Sequence, residues 1–211
     1  MEENLTLKSY LESLESSSPT PGGGNVSAFC GVLASSLGKM VCGLTIGKKK
    51  YIDFEEQMKE FLNILSQNKL IFEELAQKDN EAFDLVMNAF KMAKETDEQK
   101  KLRAEAIESA TKGAAEIPFK VVNQCNIILK VLEEVVVKGN KNSISDAGVA
   151  ILLLSTASKG AFLNVIINCS SLNDKEYSTK MITEATKIID EIDIRVNSVF
   201  KSIKMDILNE N

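Results

Sequence analysis

Apolar residues recur at helical spacing along almost the whole chain and strand-type alternation is weak, which predicts an all-α architecture. A short helix is expected from about Leu5 to Leu14, before Ser16 to Gly24 breaks the pattern with Ser, Pro and Gly. The next helix, about Asn25 to Leu44, is apolar around most of its circumference. It carries Ala28, Gly31, Ala34, Ser35, Gly38 and Gly43, small residues that allow close backbone approach, so it is expected as a long, mostly buried central helix. Gly47 and Lys48–Lys50 end it. From Phe54 to Lys94 the spacing of Phe61, Leu65, Leu75, Phe83, Val86 and Phe90 predicts one or two amphipathic helices, with a break near Asp79. Thr96–Gln99 has capping-box form and opens a helix that reaches Pro118, then continues or restarts toward Val137 and closes at Gly139–Asn140. Ser145–Leu172 and Asp174–Leu208 complete the pattern, the last preceded by Asn173 with Glu176 three residues on.

Composition narrows the reading. A 211-residue chain that is 44% hydrophobic can bury one sizeable core, so residues 1–211 are expected as a single domain. The net charge of −5, without a long basic stretch, argues against nucleic acid as a partner. Met1–Asn4 is acidic and polar, Lys39 interrupts the apolar helix, and no apolar run is expected to span a bilayer; a cytoplasmic protein with no membrane partner is expected. The four cysteines form no CxxC pair. Cys30 and Cys42, about 18 Å apart at 1.5 Å per residue of helix, cannot bridge, so all four are expected as reduced thiols. The chain has no histidine. Ser-His-Asp, Cys-His and HExxH arrangements are therefore out, no metal site is expected, and proton transfer falls to Asp, Glu, Lys, Tyr, Cys or an oriented water.

Three polar segments lie beside long apolar helices. In Pro19–Asn25, Pro21 leads stiffly into Gly22, Gly23 and Gly24, whose backbone N–H groups at a helix start suit an anion or a flat ligand; the alternative is an ordinary interhelix loop. In Gly47–Tyr51, the ammonium groups of Lys48, Lys49 and Lys50 suit substrate carboxylates, or simply complement a helix C-terminus. In Gly139–Ala150, Asp146 stands at the mouth of an apolar helix. Ser143–Asp146 also fits a capping box, so its carboxylate is either chemical or structural, or both.

Taken in order and spacing, SSPTPGGGNVSAFCGVLASSLGKMVCGLTIGKKKY followed by NSISDAGVAILLLSTASKGAFLNVIIN resembles the formimidoyltetrahydrofolate cyclodeaminase / methenyltetrahydrofolate cyclohydrolase family. Asp79–Phe83, Thr96–Arg103 and Glu116–Pro118 are similar to its intervening helices. The resemblance implies an orthogonal multi-helix bundle, usually a homodimer or higher oligomer, that binds a tetrahydrofolate derivative as substrate near helix ends at a subunit contact. It implies Asp146 as the catalytic carboxylate, with Pro21, Gly22, Gly23, Gly24, Lys48, Lys49, Lys50, Tyr51, Asn142, Ser143, Asn164 and Arg103 as ligand contacts. Two reactions fit: hydrolysis of 5,10-methenyltetrahydrofolate to 10-formyltetrahydrofolate, favoured because 211 residues leave no room for a transferase region, or cyclodeamination of formimidoyltetrahydrofolate with release of ammonia. A non-catalytic helical scaffold that binds partners through its Ala/Gly-rich helix is the competing class.

Overall fold

Three glycines set the spacing of the central helices. Gly24, Gly31 and Gly38 recur every seven residues in α2 (Gly23–Thr45), and the facing positions in α3 (Glu55–Phe90), Asp79, Phe72 and Leu65, recur every seven residues in the opposite direction. A β-carbon at Gly31 would stand 2.5 Å from the Phe72 ring, and one at Gly38 would stand 2.6 Å from Leu132 and 3.0 Å from Leu65. The two helices therefore run antiparallel at a distance that only glycine permits at these points. Met58, Leu65 and Phe72 form the same stripe and are fully buried.

The computed structural model describes residues 6–209. Leu5, where the first helix was expected to begin, and the acidic Met1–Asn4 segment lie outside them. α1 (Leu7–Leu14) is capped by the Thr6 hydroxyl, which accepts from the Ser9 N–H. α4 (Asp97–Lys138) opens on the expected capping box, with Thr96 and Gln99 each bonding the other's backbone. α5 (Ile144–Ser170) and α6 (Lys175–Asn209) follow, and no strand occurs among the described residues. α2 packs on α3 and α5, α4 packs on α3 and α5, and α6 closes over α4 and α5. Their shared core includes Ala28 and Val41 of α2, Leu129 and Leu132 of α4, Leu154 of α5 and Ile192 of α6. Arg195 pins α6 to α4 through Glu133, at 2.9 and 2.6 Å.

Several local expectations are corrected. α3 is unbroken through Asp79, because this polar residue continues the stripe that faces α2 instead of interrupting it. The start of α6 is capped one residue later than expected: Asp174 accepts from the Tyr177 N–H, while Glu108 of α4 accepts from the N–H groups of Asn173 and Asp174. Gly23–Thr45 and Lys141–Ser170 are both long and apolar enough to cross a membrane, contrary to the expectation, yet their inner faces are buried against the other helices. The four cysteines are free, three of them buried, and burial pushes the Cys42 thiol up to about 12.

α4 also runs unbroken through Pro118. Proline has no N–H, so the carbonyl four residues earlier, on buried Ala114, loses its helical donor. Asn168 of α5 supplies the missing bond, its amide donating to the Ala114 carbonyl at 3.0 Å. Asn168→Ala should therefore cost about 1–3 kcal/mol in chemical unfolding, the cost of a stranded buried acceptor. In a Pro118→Ala background the same change should cost less, because residue 118 then donates to Ala114 itself.

Candidate functional site

At the N-terminal end of α2 the chain from Pro19 to Gly24 folds back over the helix start, with the Thr20–Pro21 peptide bond cis. A cavity of about 350 Å³ opens here, walled by this loop, by Asp79, Phe83 and Val86 of α3, by Ala114 of α4, and by Asn164, Ile167 and Asn168 of α5. Four helices thus contribute, counting the first turn of α2, each at a point fixed by the packing just described. Asp79 is one heptad beyond Phe72, and a β-carbon at Gly24 would run into its carboxylate. Phe83 and Val86 follow one and two turns later on the same wall.

Asp79 accepts the backbone N–H of Asn25, yet burial outweighs that bond and lifts its carboxyl above the usual aspartate range. A carboxylate facing the open N–H end of a helix, partly desolvated and lining a cavity, is suited to holding and returning a proton. Asn164 lies beside it, its amide nitrogen 3.6 Å from where a β-carbon of Gly23 would be. Of the sequence-predicted contacts, Pro21, Gly22, Gly23, Gly24 and Asn164 therefore share one end of the molecule.

Lys48, Lys49, Lys50, Tyr51, Asn142, Ser143 and Asp146 gather at the other. Gly47 turns the chain with φ of 77°, and a short 3-10 segment, Lys49–Phe54, carries Lys49, Lys50 and Tyr51, with Lys48 just before it. Tyr51 is held against the α4–α5 turn: its hydroxyl accepts from the Lys141 N–H at 2.9 Å. Asn140 completes the tie, its N–H donating to Thr45 Oγ1 and its amide to the Leu44 carbonyl. Lys48–Lys50 and Asn142 are exposed, Ser143 is buried and Asp146 is partly buried. The Ser143–Asp146 capping box is not formed, since Ser143 makes no side-chain cap bond. That leaves the Asp146 carboxylate without the structural task it was weighed against.

The two ends are separated by α2, 23 residues long and so about 34 Å from end to end. No single chain brings the three segments together. Arg103 joins neither group, because its guanidinium donates twice to the Phe90 carbonyl, at 3.0 and 3.2 Å, and closes the α3–α4 turn. Among the described residues no three His, Cys, Asp or Glu side chains group as a metal site.

Comparison with known proteins matches residues 6–187 to the Formiminotransferase-cyclodeaminase family. The chain belongs to the formiminotransferase-cyclodeaminase family. It is 37% identical over 204 residues to a methenyltetrahydrofolate cyclohydrolase of Methylorubrum extorquens, covering 97% of this chain and 98% of that one. It is 28% identical to the formimidoyltransferase-cyclodeaminase of Gallus gallus over 88% of this chain, which amounts to 34% of that protein's length. Among solved structures, the formiminotetrahydrofolate cyclodeaminase of Thermotoga maritima superposes with a TM-score of 0.82 at 30% identity, covering 95% of this chain and 98% of that one.

Within this family member, Asp79, Phe83, Val86, Ala114, Ile167 and Asn168 are cavity residues that sequence reasoning did not select as ligand contacts. The available signal was the seven-residue series Met58, Leu65, Phe72, Asp79, in which a carboxylate occupies a core position. Its raised pKa fixes a testable sign. The fold keeps its full stability below the ordinary aspartate range, about pH 3.9, and loses part of it as pH rises through the raised value, because the buried site disfavours the charge. Asp79→Asn should melt above wild type at about pH 7–8, and the difference should narrow as pH falls toward about 4.

Proposed function

We propose that this protein is a methenyltetrahydrofolate cyclohydrolase and that Asp79, at the cavity end of α2, carries its proton transfers. The observation behind this reading is the convergence on one carboxylate of a cavity, a helix N-terminus and a desolvating wall. The 37% identity to a cyclohydrolase across nearly the full length of both chains supports the reaction. The substrate carries a cationic amidinium carbon between N5 and N10. Water adds to that carbon and gives up a proton to Asp79; the C–N5 bond then breaks as the proton passes to N5. The remaining hydroxyl loses its proton and becomes the formyl carbonyl, leaving 10-formyltetrahydrofolate and one proton released to solvent. A carboxyl with a raised pKa suits both transfers.

Cyclodeamination passes through a related tetrahedral carbon bearing nitrogen in place of oxygen, and the same Asp and cavity serve it; the solved cyclodeaminase relative supports that second reading. Following the methenyl chromophore with purified protein separates the two. Its loss marks the hydrolase, and its appearance from formimidoyltetrahydrofolate marks the cyclodeaminase.

The complete site is shared between two copies. A cavity of about 350 Å³ is at the small end of ligand pockets, and the lysines suited to a glutamate tail lie at the far end of α2. Leu33, Met40 and Leu44 of α2, with Val149, Leu152, Leu163 and Ile167 of α5, form exposed apolar stripes along both helices. Covering these stripes with a second copy about a two-fold axis sets the Gly22–Gly24 loop and Asp79 of one chain against Lys48–Lys50 and Asp146 of the other. The protein acts in the cytoplasm, consistent with its four free thiols and the folate chemistry.

Asp79→Asn should lower kcat by at least about a hundredfold with folate binding retained, and Asp146→Asn by less. The reverse ranking returns the catalytic role to Asp146. Lys49→Ala or Lys50→Ala should mainly raise KM. Chains carrying Asp79→Asn, co-expressed with chains in which Lys48, Lys49 and Lys50 are Ala and purified through two tags, should regain about half the wild-type activity at low substrate, since each heterodimer holds one intact site. No recovery above the separate variants places the site within one chain.

A further inference from the structure

α1 is eight residues long and buries none of them. A helix this short has little stability of its own, so its contacts decide whether it stays in place. Tyr10 makes them. Its ring packs on Phe29 with centroids 5.3 Å apart, and its hydroxyl donates to Asn25 Oδ1 at 2.8 Å. Asn25 is only 6% exposed, and its remaining polar groups turn to α3: Nδ2 donates to the Ala76 carbonyl at 2.8 Å, and the backbone N–H donates to the Asp79 carboxylate. Ala76 and Asp79 lie on adjacent turns of one helix. Asn25 thus grips α3 on both sides of the turn that carries the carboxylate.

We propose that Tyr10 and Asn25 are positioning residues for Asp79: the Tyr10 hydroxyl holds the buried Asn25 amide in the rotamer that locks α2 to α3, which keeps the carboxylate against the Gly22–Gly24 loop. Neither residue lines the cavity. The inference rests on the assignment of proton transfer to Asp79. Without the hydroxyl, Asn25 Oδ1 is left buried and unpaired, and the amide turns to find another donor or admits water. The Ala76 bond loosens with it, and the Asp79 carboxylate moves relative to the loop. A displacement of about 1 Å at a reacting group can cost about a hundredfold in rate, so a partial shift is visible in turnover while the chain stays folded.

Tyr10→Phe keeps the ring against Phe29 and removes only the hydroxyl. Its melting temperature should fall by about 2–10 °C, the effect of one stranded buried acceptor, with the chain still folded at assay temperature. Its kcat on 5,10-methenyltetrahydrofolate should fall about tenfold, with KM within about twofold, since an interaction that acts in the transition state is lost and uniform binding is not. The decisive measurement is the cycle with Asp79→Asn. In that background Tyr10→Phe should cost nothing further, because the group it positions is already disabled. Equal losses in both backgrounds, or a Tyr10→Phe enzyme with wild-type kcat beside an inactive Asp79→Asn, overturn the positioning role alone. An Asp79→Asn enzyme with wild-type kcat overturns the assignment of Asp79, and the positioning role falls with it.

Discussion

The contact between α2 and α3 is a seam of three glycines against three side chains, at matching seven-residue intervals: Gly38 with Leu65, Gly31 with Phe72, Gly24 with Asp79. Two of the pairs are core and the third places a carboxylate, the proposed proton carrier, on the cavity wall. The same helix separation that seats the Phe72 ring on bare backbone brings the Asp79 carboxylate to the first turn of α2. Stability and site placement therefore rest on one constraint, and a change in helix spacing that relieves one pair displaces the others. Asp79 occupies the position in this series that a leucine would fill in a purely structural seam. The fold accepts a partly desolvated carboxylate there, a cost that makes sense where a proton must be held and released.

The length of α2 has a second consequence. α2 delivers the glycine loop at one end and the lysine-bearing turn at the other, and α5, running antiparallel beside it, delivers Asn164 and Asp146 in the same division. Each end holds groups of a different kind: backbone donors, a carboxylate and apolar walls at one, ammonium groups and a second carboxylate at the other. The exposed stripes of α2 and α5 run along the length that separates them. Apolar faces on the two helices that also carry the half-sites give the proposed pairing of copies both its driving force and its register.

Much of this was legible in the chain. The small-residue pattern of 25–44 announces close packing, and Thr96 with Gln99 announces the start of α4, because both signals act locally or through one neighbouring helix. What the chain did not disclose depends on partners distant in sequence. Asp79 reads as a helix break because Lys78–Asp79–Asn80 is polar, and only the opposing Gly24 shows it to be a seam position. Pro118 reads as a possible restart because the donor that replaces its missing N–H is Asn168, fifty residues on. Arg103 and Tyr51 have the side-chain chemistry of ligand contacts, but their polar groups are engaged by the Phe90 carbonyl and the Lys141 N–H. The reverse holds for Asp146, whose local pattern promises a capping box that the backbone does not close.

The two carboxylates occupy different surroundings at opposite ends of the central helix. Asp146 is partly buried at the start of α5, beyond the turn that Tyr51 ties to the lysine-bearing segment. Asp79 is walled by Phe83, Val86 and the backbone of the loop, where the charge is disfavoured and the acid form is within reach. In a site without histidine, proton transfer near neutral pH needs a carboxyl of the second kind. The interior seam supplies it by carrying an aspartate one heptad past the last aromatic of the core. The Asn25 N–H donates to this partly buried carboxylate and favours its charged form, against the burial that lifts its pKa.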